Sequence, residues 1–305
     1  MLSDKSMYDV VILTEHRFVN PKKTDWYIDQ VLLEDQLLQT ALEKKGLSVI
    51  KKDWADKHFD WTTTKYAIFR TTWDYFKRFD EFFTWLKNTK NKTTFINSSE
   101  IINWNIDKHY LQDLIKNNVN IAPTLFIEKG ENTTLKQLFE KTNWKEVVLK
   151  PAISGAARHT YRINPNNYKK HENIFKELIK VECMLFQSFL KNITLLGEIS
   201  LIMIGGKYTH AVKKTAKKGD FRVQDDHGGT VEKYQPTIEE IIFAENCLKV
   251  SPFNPIYARV DIVYDNDNTI SLSELELIEP ELWFRNNPIS ANLLAEEVIN
   301  LISSK

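Results

Sequence analysis

The residues that invite chemistry lie near the C-terminus. Tyr257-Ala-Arg-Val-Asp-Ile-Val-Tyr264 and Ser271-Leu-Ser-Glu-Leu-Glu-Leu277 flank Asp265-Asn-Asp-Asn-Thr269, whose residues favour a tight turn. The two runs therefore read as a hairpin. A symmetric turn centred between Asp267 and Asn268 sets Asp261 opposite Glu274 and Arg259 opposite Glu276. Strand side chains alternate between faces. One face then carries Arg259, Asp261, Glu274 and Glu276, and the other carries Ala258, Val260, Ile262, Leu275 and Leu277. A solvated polar face is the plainer account. Against it, glutamate is depleted in strands and like charges directly opposite each other repel. Three carboxylates converging on one spot call for a hard cation such as Mg²⁺, with positions left open for phosphate oxygens. Arg259 beside them suits a phosphate oxygen or a charge that develops during reaction.

Basic groups lie upstream. Val147-Val148-Leu149-Lys150-Pro151 is an apolar strand ending in lysine, and Ser154-Gly155-Ala156-Ala157 follows as a small-residue loop. Backbone N–H groups and an ammonium together would cradle a phosphate; a surface lysine before proline is the plainer reading. This is not a P-loop, because no Gly-Lys-Ser/Thr follows a glycine-rich loop. A second hairpin, turning at Gly205-Gly206, pairs Ile204 with Lys207 and hence Glu198 with Lys213, with Ser200 on the same face. That set is either a cross-strand ion pair or a polar platform under a nucleotide. Next comes Lys217-Lys218-Gly219-Asp220-Phe221-Arg222-Val223-Gln224, then His227-Gly228-Gly229. The segment suits a lid over phosphates, or a plain solvated loop. His210 and His227 read as structural histidines, with acid–base help as the alternative.

The elements that position these groups begin with strand–helix alternation. Tyr8–Thr14, Leu47–Ile50 and Tyr66–Phe69 read as strands, and Trp26–Lys45 and Phe79–Leu86 as helices. Such alternation predicts an α/β layer on a parallel sheet, with ligands beyond the carboxyl ends of the strands. Arg70-Thr71-Thr72-Trp73-Asp74-Tyr75 falls there, so Arg70, Thr72, Trp73 and Tyr75 are expected to wall a substrate pocket; packing of Trp73 and Tyr75 at an interface is the alternative. Downstream, helices are predicted over Asp107–Lys116, Phe175–Val181, Ile238–Val250 and Ala291–Ile302, and strands over Thr124–Ile127, Val147–Lys150 and Met184–Leu190. The expected organisation is an N-terminal α/β unit over 1–105 and two α+β units over 106–190 and 191–305.

Composition sets limits. With 305 residues, 42% hydrophobic and net charge +0, the chain can bury a sizeable core and offers no global attraction to nucleic acid or an anionic membrane. Any anion site must be local. Cys183 and Cys247 lack metal-ligand spacing and read as reduced, buried thiols. No stretch approaches the ~18 apolar residues of a membrane span. The expectation is a soluble cytoplasmic protein that binds neither nucleic acid nor membrane.

Taken in order, these pieces resemble the ATP-grasp superfamily over about the whole chain. The glutathione synthetase-like and ribosomal-S6-modification-type ligases are most similar, and among them the D-cycloserine-forming group. Arg70-Thr-Thr-Trp-Asp-Tyr75, Trp104-Asn-Ile-Asp-Lys108, Phe221-Arg-Val-Gln224 and Leu275-Glu-Leu-Ile-Glu-Pro280 carry the resemblance. It implies a clasp of two lobes around ATP, with Mg²⁺ or alternatively Mn²⁺. Lys108 would contact the α-phosphate and Lys150 the α- and β-phosphates, with Ser154, Gly155 and Ala156 folding over them. Gln187, Ser188, Phe189 and Leu190 would form the hinge that reads adenine. Glu198 would bind the ribose, and Lys213 would sit by the phosphates or adenine. Asp261, Glu274 and Glu276 would hold the metal, and Arg259 and Arg222 would steady the intermediates.

Three positions depart from the family pattern: Glu276 stands where asparagine is usual in the metal motif, Gln224 replaces an asparagine, and Gln187 stands where an acid is frequent. The extra charge of Glu276 should tighten the metal or raise a carboxylate pKa. The activity implied is ADP-forming ligation of a small amino-acid-like carboxylate to an amine or ureido nitrogen through an acyl-phosphate, intramolecular cyclisation included. Dimers are common among such ligases, so a homodimer is one state the resemblance offers, and the sequence leaves the oligomeric state open. A non-catalytic ATP-binding scaffold and a small-molecule kinase on the same fold are the competing readings.

Overall fold

The computed structural model describes residues 7–155, 157–217, 219–220, 222 and 228–304. Four strands, β1 (Tyr8–Thr14), β2 (Val49–Asp53), β3 (Thr64–Thr71) and β4 (Thr94–Ile96), form a parallel sheet in the order β2-β1-β3-β4. The apolar run of β1 is buried on both faces, as parallel strands require. Val10 and Ile12 pack against Leu38 and Leu42 of the helix Trp26–Lys44, while Val11 and Leu13 share a core with Trp54, Phe82 and Leu86. Asp25 caps that helix by accepting from the Ile28 amide at 2.8 Å. The helix buries two acids among its apolar residues, Glu34 and Asp35, which periodicity alone did not reveal.

The second sheet is antiparallel. It comprises β5 (Thr124–Ile127), β6 (Val147–Pro151), β7 (Tyr161–Ile163) and β8 (Met184–Ser188), ordered β5-β8-β6-β7. One face is covered by the helices Leu135–Thr142 and Tyr168–Val181, so Val147 and Leu149 enter a core with Phe139, Phe175 and Phe186. The alternate residues Val148 and Lys150 face a cleft instead.

The third sheet holds β9 (Glu198–Ile204), β10 (Lys207–Thr215), β11 (Thr230–Tyr234), β12 (Tyr257–Tyr264) and β13 (Ile270–Glu276), ordered β11-β10-β9-β12-β13. Leu201, Ala258, Val260 and Leu275 pack with Tyr110, Leu111 and Leu114 of the helix Tyr110–Lys116 and with Ala244 and Cys247 of the helix Ile238–Lys249. The opposite face is divided. At one end Ile202, Ile204 and Tyr257 join Leu294 and Val298 of the helix Ile289–Ser303, together with β1 and β3, in one apolar core. At the other end the same face turns polar, and the cleft opens there.

Both expected hairpins are present, and Gly205 and Gly206 turn the β9–β10 hairpin with φ of +58° and +76°. Periodicity had not revealed β7, β11 or the helix Leu135–Thr142. Cys247 is buried; Cys183 is half-buried, and both are unpaired thiols. Among the described residues no helix is long and apolar enough to cross a membrane.

Candidate active site

The cleft between the second and third sheets encloses about 930 Å³. Its floor is the polar end of the third sheet. Arg259 pairs with Glu276 and Asp261 with Glu274, as the turn arithmetic predicts, but by a different route. The turn end pairs Tyr264 with Ile270 and Ile262 with Leu272, one residue tighter than expected, and a bulge at Ser273 restores the register. The freed Ser273 hydroxyl donates to Glu198 at 2.7 Å.

The β9–β10 pair corrects one assignment. Lys207 lies opposite Ile204, but Thr209 is an extra residue between the Tyr208–Met203 and His210–Ile202 pairs. Its hydroxyl donates to the Ile202 carbonyl at 3.0 Å. Every residue beyond it shifts to the other face, so Glu198 meets Lys214, and Lys213 lies opposite Ile199. Lys214 is the buried lysine of the cleft: its Nζ pairs with Glu198 and lies 3.2 Å from Asp261 Oδ2. Lys213 does not line the cleft.

The roof comes from the second sheet. Lys150 projects from the end of β6. Lys108 Nζ donates to the Ser154 carbonyl at 2.9 Å and reaches Glu274 at 3.1 Å. Ser154 and Gly155 line the cleft; Ala156 lies outside the described residues. Gln187, Ser188, Phe189 and Leu190 line the cleft where the chain leaves β8 for the third sheet. The Gln187 amide is tied to Thr124 Oγ1 at 2.8 Å. Arg222 also lines the cleft, its guanidinium 2.7 Å from Asp220; Phe221, Gln224 and His227 lie outside the described residues. His210 is structural. Its Nε2 faces the Leu282 carbonyl at 2.9 Å and its Nδ1 the Ser290 hydroxyl at 3.0 Å.

The four residues expected to wall a substrate pocket part company. Trp73 and Tyr75 line the cleft, whereas Arg70 and Thr72 are buried away from it. Arg70 lies on β3, and its Nη2 donates to the buried Glu34 at 3.1 Å. Arg70 still belongs to β3 and points into the core, whereas Trp73 and Tyr75 come after the strand has ended at Thr71, where the chain turns into the short helix Tyr75–Lys77 and reaches the cleft. The sequence reading missed Glu279, Glu281, Glu15, Arg17 and Tyr27, which line the same end. The Trp73 indole donates to the Glu279 carbonyl at 2.9 Å and leans on Tyr27, with ring centroids 6.4 Å apart.

Electrostatics divides the acids. Burial would raise Asp261, but Arg259 and Lys214 outweigh it and hold the carboxyl down at about 2. Burial likewise opposes Lys108 and Lys150 at Glu274, and the lysines win, keeping it ionised. Burial dominates at Glu276: with Glu274 and Asp261 close by and Arg259 its main support, its pKa is pushed up to about 8. This is the raised carboxylate expected from a glutamate in the asparagine position. Burial also lowers Lys150, with Lys108 adding to the effect.

The three acids share a face, but they do not converge. Among the described residues no three histidine, cysteine or acidic groups are gathered closely enough to hold an ion. Arg259 bridges Asp261 and Glu276, while Lys108 holds Glu274. Opposed like charges spread apart and recruit cations, which corrects the expected convergence. The donor chemistry still fits a divalent metal. All three are hard oxygen ligands on one wall of the cleft, facing the lysines of the roof.

A cleft with lysines on its roof and acids on its floor, between two antiparallel sheets beside a parallel one, is the architecture of an ATP-grasp ligase. Residues 107–280 match the RimK-like ATP-grasp domain, and residues 10–97 match the N-terminal domain of the D-cycloserine synthetase DcsG. The chain belongs to the RimK-like ATP-grasp family. It is an ATP-dependent, ADP-forming ligase that joins a carboxylate to nitrogen, and its family uses a divalent metal with ATP.

The cycloserine biosynthesis protein DcsG of Streptomyces lavendulae is 24% identical over 260 residues, covering 80% of this chain and 86% of that one. The crystal structure of D-cycloserine synthetase DcsG superposes with a TM-score of 0.84 at 21% identity, covering 95% of this chain and 98% of that one. D-alanine–D-alanine ligase from Bacillus anthracis gives 0.64 at 13% identity, covering 96% of each chain. At these identities the structural matches speak for the fold.

Proposed function

We propose that this enzyme uses Mg²⁺ and ATP to activate the carboxylate of a small amino-acid-like substrate as an acyl-phosphate, and closes a ring when the attacking nitrogen belongs to the same molecule. The observation that carries this reading is the single cleft in which Lys108, Lys150, Lys214 and Arg259 face Glu198, Asp261, Glu274 and Glu276. The relative's role in cycloserine biosynthesis points to the same substrate size.

In this reading the three units 1–105, 106–190 and 191–305 divide the work, with the middle one closing over ATP. The backbone of Gln187–Leu190 reads adenine, Glu198 holds the ribose, and Lys108 and Lys150 hold the phosphates. Asp261, Glu274 and Glu276 would hold Mg²⁺, which when bound neutralises phosphate oxygens. A substrate carboxylate oxygen attacks the γ-phosphorus, the bond to the β–γ bridging oxygen breaks, and ADP leaves. The nitrogen then attacks the acyl carbon while Arg259 and Arg222 face the developing oxyanion. The C–O bond breaks, phosphate departs with the electron pair, and the nitrogen's proton passes to it. Closure keeps water from the acyl-phosphate.

The test is ADP release from ATP and Mg²⁺ with pooled amino acids and small carboxylates, O-ureidoserine included, each tried alone afterwards. Substrate-stimulated ADP without AMP is expected, and hydroxylamine should trap the activated carboxyl as a hydroxamate. Lys150→Ala and Glu274→Ala should each lose about 100-fold or more in turnover. AMP formation, a stable phosphorylated product, or near-normal turnover by folded Glu274→Ala would each defeat this assignment.

A further inference from the structure

The carboxylates on the cleft wall have partners, with one exception. Glu15 faces Arg17, Asp74 faces Arg78, Glu274 faces Lys108, and Glu281 faces Arg285. Lys214 serves Glu198, and Arg259 serves Asp261 and Glu276. Glu279 forms no ion pair with any described residue; the buried Tyr75 hydroxyl is its hydrogen-bond donor. It sits three residues beyond Glu276, close enough to feel the charges of Lys108, Glu274 and Glu276 without forming an ion pair to Lys108. The Trp73 indole holds its main-chain carbonyl, and Trp73, Tyr75 and Tyr27 line the same cleft as aromatic groups.

An unpaired carboxylate next to aromatic rings is a receptor for a small cation. Glu279 lines the same cleft as Arg259, Glu274 and Glu276. In an α-amino acid the nitrogen lies ~2.5 Å from the carboxyl carbon, two bonds away. A carboxyl lying against Arg259 and the acids of β13 would present its ammonium to the next group along the loop. We infer that Glu279 binds the free α-ammonium of the substrate, and that this contact makes the enzyme selective for α-amino acids over other small carboxylates. The inference rests on the ligase reading above and names the substrate class of the same site.

The experiment compares full-length wild type with Glu279→Gln and Glu279→Asp. The probes are each amino acid that stimulates ADP release, with its N-acetyl and des-amino counterparts. Wild type should prefer the free amine by about 10- to 100-fold in kcat/KM, the worth of a charged hydrogen bond. Glu279→Gln should lose that preference through KM, with the KM for ATP and the Mg²⁺ dependence within twofold of wild type. Glu279→Asp, which keeps the charge, should retain part of the preference. Three outcomes overturn the inference: equal use of free and N-acetylated substrates by wild type, undiminished amine preference in Glu279→Gln, or a shift confined to Mg²⁺ dependence. Absence of ADP release with every carboxylate overturns the substrate reading itself, so the two failures are distinct.

Discussion

Lys214 joins the two acids on which the floor of the cleft depends. It is 5% exposed, pairs with Glu198 and Asp261, and lies 5.7 Å from the centre of the Trp283 ring. Removing its charge would leave the buried Glu198 without its ion pair and Asp261 with Arg259 alone, a loss of about 3–5 kcal/mol when a buried pair is broken. Lys214→Met should therefore lower stability by that order and reduce turnover by about 100-fold, whereas Lys213→Ala should stay within about threefold of wild type. Denaturant unfolding and steady-state ADP release check both, and equal damage from the two substitutions would refute the register argument. The pair also shows what sequence can carry at this scale. Asp261, Glu274, Glu276 and Arg259 were legible because turn residues mark a hairpin and strand alternation then puts the four on one face. Lys214 was not, because a bulge at Thr209 leaves no mark that distinguishes it from any strand threonine. The β12–β13 hairpin came out right only because its tighter turn and its bulge at Ser273 cancel. Arg70 and Thr72 were misplaced because neighbours of Trp73 in sequence need not share its face.

At the scale of elements, β13 presents Glu274 and Glu276 from the edge of the sheet, and an edge strand needs its outer backbone groups satisfied. The segment from Asn105 to Asn120 does this with side chains and main chain. Asn105 donates to the Leu275 carbonyl at 2.8 Å and accepts from the Leu277 amide at 2.8 Å; Tyr110 Oη accepts from the Leu275 amide at 2.9 Å, and the Asn120 carbonyl accepts from Leu272 at 2.8 Å. Asn105→Ala leaves two buried backbone groups unpaired and should cost about 2–4 kcal/mol. Under the proposed metal assignment it should also raise the Mg²⁺ concentration needed for half-maximal ADP release, since both proposed ligands ride on this strand; an unchanged Mg²⁺ curve would separate the edge from the proposed metal site. His210 fastens β10 to the loop at Leu282 and to Ser290. Burial pushes its pKa down from 6.5 to about 4, so the folded state holds it neutral while the unfolded chain protonates first. Its stabilisation is whole above pH 6.5 and drains away as pH falls towards 4, about 3 kcal/mol in all. Unfolding free energies at pH 7.5 and pH 4 should show a fall larger by that amount in wild type than in His210→Gln, and parallel profiles would assign the acid sensitivity elsewhere.

For the whole molecule, the parallel sheet and the third sheet are fused, while the second sheet approaches them across the cleft. The fusion is both apolar and polar. Ile202 and Ile204 share a core with β1 and β3. Glu34, from the N-terminal helix, accepts from the Leu282 and Phe284 amides at 2.6 and 3.0 Å, anchoring the loop that carries Glu279 and Glu281. These ties explain why the N-terminal unit was legible from its strand–helix alternation while its hold on the site was not: a buried acid in a helix looks like a surface residue in sequence.

The roof touches the N-terminal unit through the small-residue loop. A Cβ built on Gly155 would stand 2.7 Å from Phe76 Cε1, and that ring is held edge-on by Tyr75, with centroids 5.7 Å apart. Separations under 3.0 Å force something to move. Either the loop withdraws from Phe76, carrying Ser154 and its contact to Lys108 with it, or the aromatic wall shifts. Gly155→Ala should then raise the KM for ATP by about tenfold with little change in global stability, because a loop moves rather than a core. If the contact is the cause, Gly155→Ala combined with Phe76→Ala should recover most of the loss, giving a coupling of about 1 kcal/mol between residues that belong to different sheets. Additive effects in that cycle would mean that Gly155 serves the phosphates through its own backbone, and that the roof closes without reference to Phe76.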